Sequence, residues 1–128
     1  MKRALADTSL FIASESGRTL SDEGVPDTLA ISIITLAELR AGVLAARDLQ
    51  TRARRLTTLS FVAQYDVIPV DASVAEAWAQ LRVALRDAGR RLGVNDSWVA
   101  ATAIALDVPL VSQDRGFEGV PGLWAILV

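Results

Sequence analysis

The sequence has 128 residues, 52% of them hydrophobic and 22% charged, which suits one compact globular domain spanning residues 1–128. Thirteen basic residues oppose fifteen acidic ones, and the net charge of −2 excludes nucleic-acid binding by bulk positive charge. The absence of Cys and His excludes disulfides, thiolate or imidazole zinc sites, and Ser/His or Cys/His nucleophile pairs.

Along the chain, residues 4–6 read as a short buried strand running into Asp7, Thr8 and Ser9 as capping residues, followed by a helical turn over residues 10–13. Residues 14–28 hold Ser, Gly, Asp, Thr and Pro26 and read as a surface loop. Residues 29–32 suit a second strand. Residues 35–46 suit a helix, with Leu36, Leu39, Val43 and Ala46 at helical spacing. A further helix over 47–63 puts Leu49, Ala53, Leu56 and Ser60 on one stripe, and residues 66–70 are strand-like. Ser73 to Glu76 matches a capping box, and Val74, Trp78, Leu81, Leu85 and Ala88 form an apolar stripe up to Gly89. Asn95 or Asp96 caps a helix running to Leu106, whose Ala100, Ala101, Ala103 and Ala105 permit close packing. Residues 109–112 read as a strand, 112–122 as a polar loop and 123–128 as a final strand. Strands alternating with helices predict an α/β fold, a mostly parallel central sheet flanked by helices on both faces.

Oxygen donors are the ligands left to this composition, and they favour hard cations such as Mg²⁺ or Mn²⁺. The only lysine is Lys2, so no GxxxxGK phosphate loop exists. Asp7 interrupts the first apolar stretch, which argues against a secretory signal. With no run of about 18 uncharged apolar residues, the expectation is a cytoplasmic protein without a membrane span.

In parallel sheets the strand C-termini and helix N-termini meet at one edge, where ligands bind. The predicted elements bring Asp7, Glu38, Asp96 and Asp114 to that edge. Carboxylates at close range repel unless protonated or bridged by cations, so such a cluster points to metal, and two cations suit phosphodiester hydrolysis. Each acid also has a purely structural reading: Asp7 and Asp96 as N-caps, Glu38 folded back in a capping box with Thr35, Asp114 as a turn residue. Four acids from four separate segments favour the site.

Arginine is segregated. Residues 40–55 hold five against Asp48, net +4, and residues 82–91 hold four against Asp87, net +3, which leaves −9 elsewhere. This suits a phosphate chain held beside an acidic notch, with Arg52, Arg54, Arg55, Arg86, Arg90 and Arg91 as candidates for contact with its backbone; the plainer alternative is a solvated helix face. Few aromatics are available for base stacking, and Trp78 and Trp98 read as core or interface residues. A mean hydropathy of +0.35 in so short a chain hints at surface buried in an oligomer or against a partner.

The segments ALADTSLFI, ISIITLAELRAG, NDSWVAATAIA and PLVSQDRGF resemble the PIN-domain family, and their order resembles the VapC ribonuclease toxins of bacterial toxin–antitoxin pairs. The resemblance runs from Ala4 to Phe117. It implies an α/β/α PIN-like domain acting as an Mg²⁺- or Mn²⁺-dependent endoribonuclease, with water activated at a catalytic, metal-binding cluster of Asp7, Glu38, Asp96 and Asp114. Asp7 and Asp96 would be the principal ligands, with Glu38 and Asp114 completing the site directly or through water. Ser9 matches the polar residue beside the first aspartate, and Ser112 stands where the family often has Thr. Gly116 stands where many relatives carry another acid, which leaves open the share of Asp114 and Glu118 at that end. The implied partners are an RNA substrate, a cognate antitoxin and a second copy in a homodimer. The alternative is a catalytically silent binding protein of the same fold, with the acids kept for caps and partner contacts.

Overall fold

The computed structural model describes residues 3–21 and 23–128. Strands β1 (Arg3–Ala6), β2 (Thr28–Ser32), β3 (Asp66–Ile68), β4 (Leu110–Ser112) and β5 (Ala125–Leu127) form one sheet in the order β3-β2-β1-β4-β5, with every neighbouring pair parallel. The helices are α1 (Thr8–Glu15), α2 (Ile33–Ala45), α3 (Leu49–Val62), α4 (Ala72–Asp87) and α5 (Val94–Leu106), with a short 3-10 turn at Arg115–Phe117.

The alternation of side chains along the strands creates two cores. Leu5 and Ala30 face one side, where Leu81 and Leu85 of α4, Val99, Ala100 and Ala103 of α5, and Phe117 close over them. Their neighbours Ala6 and Ile31 face the other side, against Phe11 of α1, Leu39 of α2 and Val62 of α3. A strand apolar on both faces needs cover on both, and the expected α/β/α sandwich results. The alanines of α5 that face the sheet are fully buried, as close packing requires.

Two caps differ from expectation. Asp71 caps α4, its carboxylate accepting from the Val74 amide at 2.9 Å, so Ser73 lies inside the helix and its capping box with Glu76 is not formed. The earlier start keeps the apolar stripe in phase and sets a negative charge against the positive helix end. Helix α5 starts at Val94 behind Gly93, which has no side chain to cap it, and Asn95 and Asp96 lie within the first turn rather than at the cap. The carboxylate of Asp96 is thereby left free. Pro69, which has no amide to donate, follows the end of β3 at Ile68, short of the expected Val70.

If Asp71 is the cap, Asp71→Ala loses about 1 kcal/mol of stability while Ser73→Ala stays within about 0.5 kcal/mol of wild type. Urea denaturation of the two variants checks this; a larger loss for Ser73→Ala restores the capping box.

Candidate active site

The strand order sets where a crevice opens. From β1 the chain winds through α1 to β2 on one side of the sheet, and it returns after α5 to β4 on the other side of β1. Ligand sites in open parallel sheets form at such a reversal, beyond the strand C-termini. Asp7 directly follows β1, and Asp114 stands two residues beyond β4.

Asp7 is 4% exposed, and its Oδ2 collects the available donors. The Ser9 hydroxyl donates to it at 2.7 Å, the Ser112 hydroxyl at 2.9 Å and the Ser9 amide at 3.4 Å. The same interaction makes Asp7 the N-cap of α1, as one of its two sequence readings expected, and capping through Oδ2 does not consume Oδ1. Its Oδ1 receives no donor among the described residues and keeps its lone pairs. The two serine hydroxyls also accept, Ser9 from the Gln113 amide at 3.0 Å and Ser112 from the Asp114 amide at 2.9 Å. They shape the loop after β4 as well as holding Asp7.

Glu38 lies one turn inside α2, which is capped by Ser32, so Glu38 does not close a capping box on Thr35. Its Oε1 accepts from the Thr8 hydroxyl at 2.7 Å, and Thr8 stands 2.9 Å from the buried Thr35 hydroxyl. Its Oε2 receives the Asn95 amide at 3.5 Å. Thr8 and Asn95 were missed as site residues. Their signal was position, since each directly adjoins a predicted acid, Asp7 or Asp96. Asp114 is exposed and caps the 3-10 turn, accepting from the Gly116 amide at 2.8 Å. A Cβ on Gly116 would lie 3.0 Å from Asp114 Oδ1, so a side chain at this position requires the Asp114 carboxylate to give way by a few tenths of an ångström. Glu118 is turned to Arg115, 3.1 Å away.

Asp96 reports on the whole group. Its carboxyl is pushed up to about 6, first by burial and then by the charges of Asp7, Asp114 and Glu38. The four acids predicted from sequence therefore share one electrostatic neighbourhood. Among the described residues no three of them converge closely enough to hold an ion as they stand. Their chemistry nevertheless fits a hard divalent cation, being oxygen donors with unclaimed lone pairs and mutual repulsion to relieve.

The family profile of the PIN domain matches residues 4–123. The chain belongs to the PIN-domain family. Ribonuclease VapC5 of Mycobacterium tuberculosis is 48% identical to it over 116 residues, covering 91% of this chain and 86% of the relative. Ribonuclease VapC4 of the same organism is 40% identical over 128 residues, covering 100% and 98%. Among solved structures, VapBC-5 of M. tuberculosis, from the VapBC family of toxin–antitoxin systems, superposes with a TM-score of 0.91 at 41% identity, covering 100% of both chains. The all-parallel sheet and helix order are thus those of a PIN domain.

The arginine candidates of this PIN domain divide between two regions. Arg54 and Arg55 line a groove of about 370 Å³ with Ile12, Glu15, Glu38 and Leu39. Both are engaged there, Arg54 3.7 Å from Glu15 and Arg55 donating to the Gly42 carbonyl at 2.7 Å. Arg52 is exposed on α3. Arg86 pairs with Asp87 at 3.2 Å, Arg90 donates to the Gly116 carbonyl at 2.8 Å, and Arg91 is exposed. Trp78 and Trp98 stack on each other, ring centroids 4.6 Å apart, in agreement with a packing role.

A raised carboxyl pKa makes the folded state bind more protons than the unfolded state between the ordinary value of 3.8 and about 6. Stability from Asp96 is therefore present at low pH and lost as pH rises through that window. In EDTA, Asp96→Asn is expected to melt above wild type at pH 7, with a difference that shrinks toward pH 4. Melting curves across that range test it, and a difference independent of pH removes Asp96 from the cluster.

Proposed function

We propose that the chain is a divalent-metal-dependent endoribonuclease toxin whose catalytic and metal-binding residues are Asp7, Glu38, Asp96 and Asp114. The observation that carries this reading is the elevation of Asp96 by burial and three neighbouring carboxylates at the sheet's reversal point. Membership of the PIN family and 48% identity to a ribonuclease support it. The all-oxygen donor set favours Mg²⁺ or Mn²⁺, and such a cation, when bound, supplies charge neutralisation and Lewis acidity at the scissile phosphodiester.

The chain's own residues supply orientation. Ser9 and Ser112 fix Asp7 through Oδ2, so that Oδ1 is the atom offered to the site. Thr8 fixes Glu38 through Oε1, leaving Oε2 to the weak Asn95 contact. Asp96, pushed up to about 6, takes up a proton more readily than an ordinary aspartate when no cation is present. Supporting hydroxyls of this kind typically contribute about 10–100-fold in metal affinity or activity.

The proposal extends to partners. Solved neighbours include toxin–antitoxin complexes, and this chain exposes Ile12, Leu44, Leu49, Leu56 and Phe61 on α1, α2 and α3. That apolar surface suits a cognate antitoxin, and Val83 on α4 suits contact with a second copy in a homodimer. RNA is the substrate, and the arginine-rich segments Arg52–Arg55 and Arg86–Arg91 provide positive charge for its backbone. No helix among the described residues is long and apolar enough to cross a membrane, and the cytoplasm is the proposed site of action.

Purified protein incubated with a panel of RNAs is expected to cleave with Mg²⁺ or Mn²⁺ and to stop in EDTA. Ser112→Ala loses about 10–100-fold, and Asp7→Asn and Asp96→Asn lose more. Mn²⁺ raises the melting temperature of wild type by mass action but scarcely moves Asp96→Asn. Expression arrests growth, and a small protein encoded beside the gene relieves the arrest. Equal toxicity of wild type and Asp7→Ala would overturn the nuclease reading.

A further inference from the structure

The C-terminal half of α4, the segment that follows it and the start of α5 line a cleft of about 360 Å³. Arg82, Arg86, Arg90 and Arg91 line it together with Gly93 and Val94, and no carboxylate is among its lining residues. We propose that this cleft is a phosphate subsite that grips the RNA backbone next to the cleavage centre. The proposal rests on the ribonuclease reading and adds to it a defined second point of contact.

Three observations carry it. The first is adjacency: Arg90 donates to the carbonyl of Gly116, whose amide is bonded to Asp114, and the Cβ position of Gly93 lies 3.7 Å from Asp96 Oδ2. The cleft thus adjoins the Asp114 loop and Asp96, within reach of one nucleotide chain.

The second is availability. Arg82, Arg90 and Arg91 have no carboxylate partner among the described residues, and Arg86 has only the exposed Asp87 beside it in sequence. Four guanidinium groups around one cleft repel each other, and a phosphodiester matches their forked donors. The groove between α1, α2 and α3 differs, because Glu15 and Glu38 are part of its lining and Glu15 pairs with Arg54 at 3.7 Å.

The third is preorganisation. The Arg82 guanidinium lies 5.6 Å from the centroid of Trp78, which is itself stacked on Trp98. Arg90 passes 3.0 Å from the position a Cβ would take on Gly119, a residue at φ +69°. The missing side chain leaves the Arg90 guanidinium room to reach the loop that carries Asp114. The start of α5 adds little by itself, since Asp96 already occupies its first turn.

The test is fluorescence anisotropy with a labelled, unstructured single-stranded RNA of about 20 nucleotides, titrated in EDTA across about 0.05–0.3 M NaCl. Each lost phosphate contact reduces the salt slope by about 0.7 for single strands. Arg82→Gln with Arg91→Gln, both exposed in wild type, is expected to lower the slope by about 0.7–1.4 and to bind several-fold more weakly. Arg40→Gln with Arg47→Gln removes the same charge outside the cleft and is expected to keep the wild-type slope. Arg82→Lys with Arg91→Lys keeps the charge and regains most of the slope, which separates phosphate contact from a folding defect. An unchanged slope for the cleft variant, or an equal loss in the control, overturns the subsite. If wild type still cleaves this RNA in Mg²⁺, only the subsite has failed; if wild type neither binds nor cleaves, the ribonuclease reading fails and the subsite with it.

Discussion

A carboxylate as buried as that of Asp7 survives in a folded chain only when donors inside the protein answer its charge. Two serine hydroxyls do so, one from the first turn of α1 and one from the end of β4. These bonds join three elements at the centre of the sheet, and each hydroxyl spends its remaining capacity on an amide of the loop that carries Asp114. The position of one acid thus determines the shape of the segment that presents another. Removing Ser112 disturbs Asp7 and the loop that carries Asp114, whereas removing Thr8 disturbs Glu38 and the buried Thr35.

The charges at this edge are arranged so that they do not cancel. Arg3, Arg54, Arg86 and Arg115 make ion pairs among the described residues, and none of these uses Asp7, Glu38, Asp96 or Asp114. Arg90 comes nearest, yet it binds a backbone carbonyl rather than a carboxylate. An internal salt bridge would have relieved the elevation of Asp96 at the expense of an oxygen donor. The unrelieved repulsion lowers the stability of the chain at neutral pH.

The sheet and its helices were legible because each relies on local pattern, such as the apolar stripe of Val74, Leu81 and Leu85 or the small residues of α5. The sharing of one electrostatic neighbourhood by Asp7, Glu38, Asp96 and Asp114 was legible for the same reason, since strand ends and helix starts suffice to place them. Hydrogen-bond partners were not. Thr35 and Glu38 have the spacing of a local cap, but Ser32 takes that role and Thr8, 30 residues from Glu38, provides its donor. Asp71 against Ser73 is the same kind of contest, decided by which residue the chain reaches in extended conformation as it enters α4. The different fates of Arg54, held by Glu15, and Arg91, left exposed, depend on packing between distant segments that composition does not record.

The strand order also ties the beginning of the chain to its end. β1 is the first strand made, and one of its two neighbours, β4, is among the last, bonded to it through Leu5 to Pro109 and Asp7 to Val111. Ser112, which completes the support of Asp7, stands 105 positions from it in the sequence. Long-range parallel pairing is slow to form. The two ends of the chain must therefore meet before Asp7 is fully supported, and the centre of the sheet closes the chain on itself.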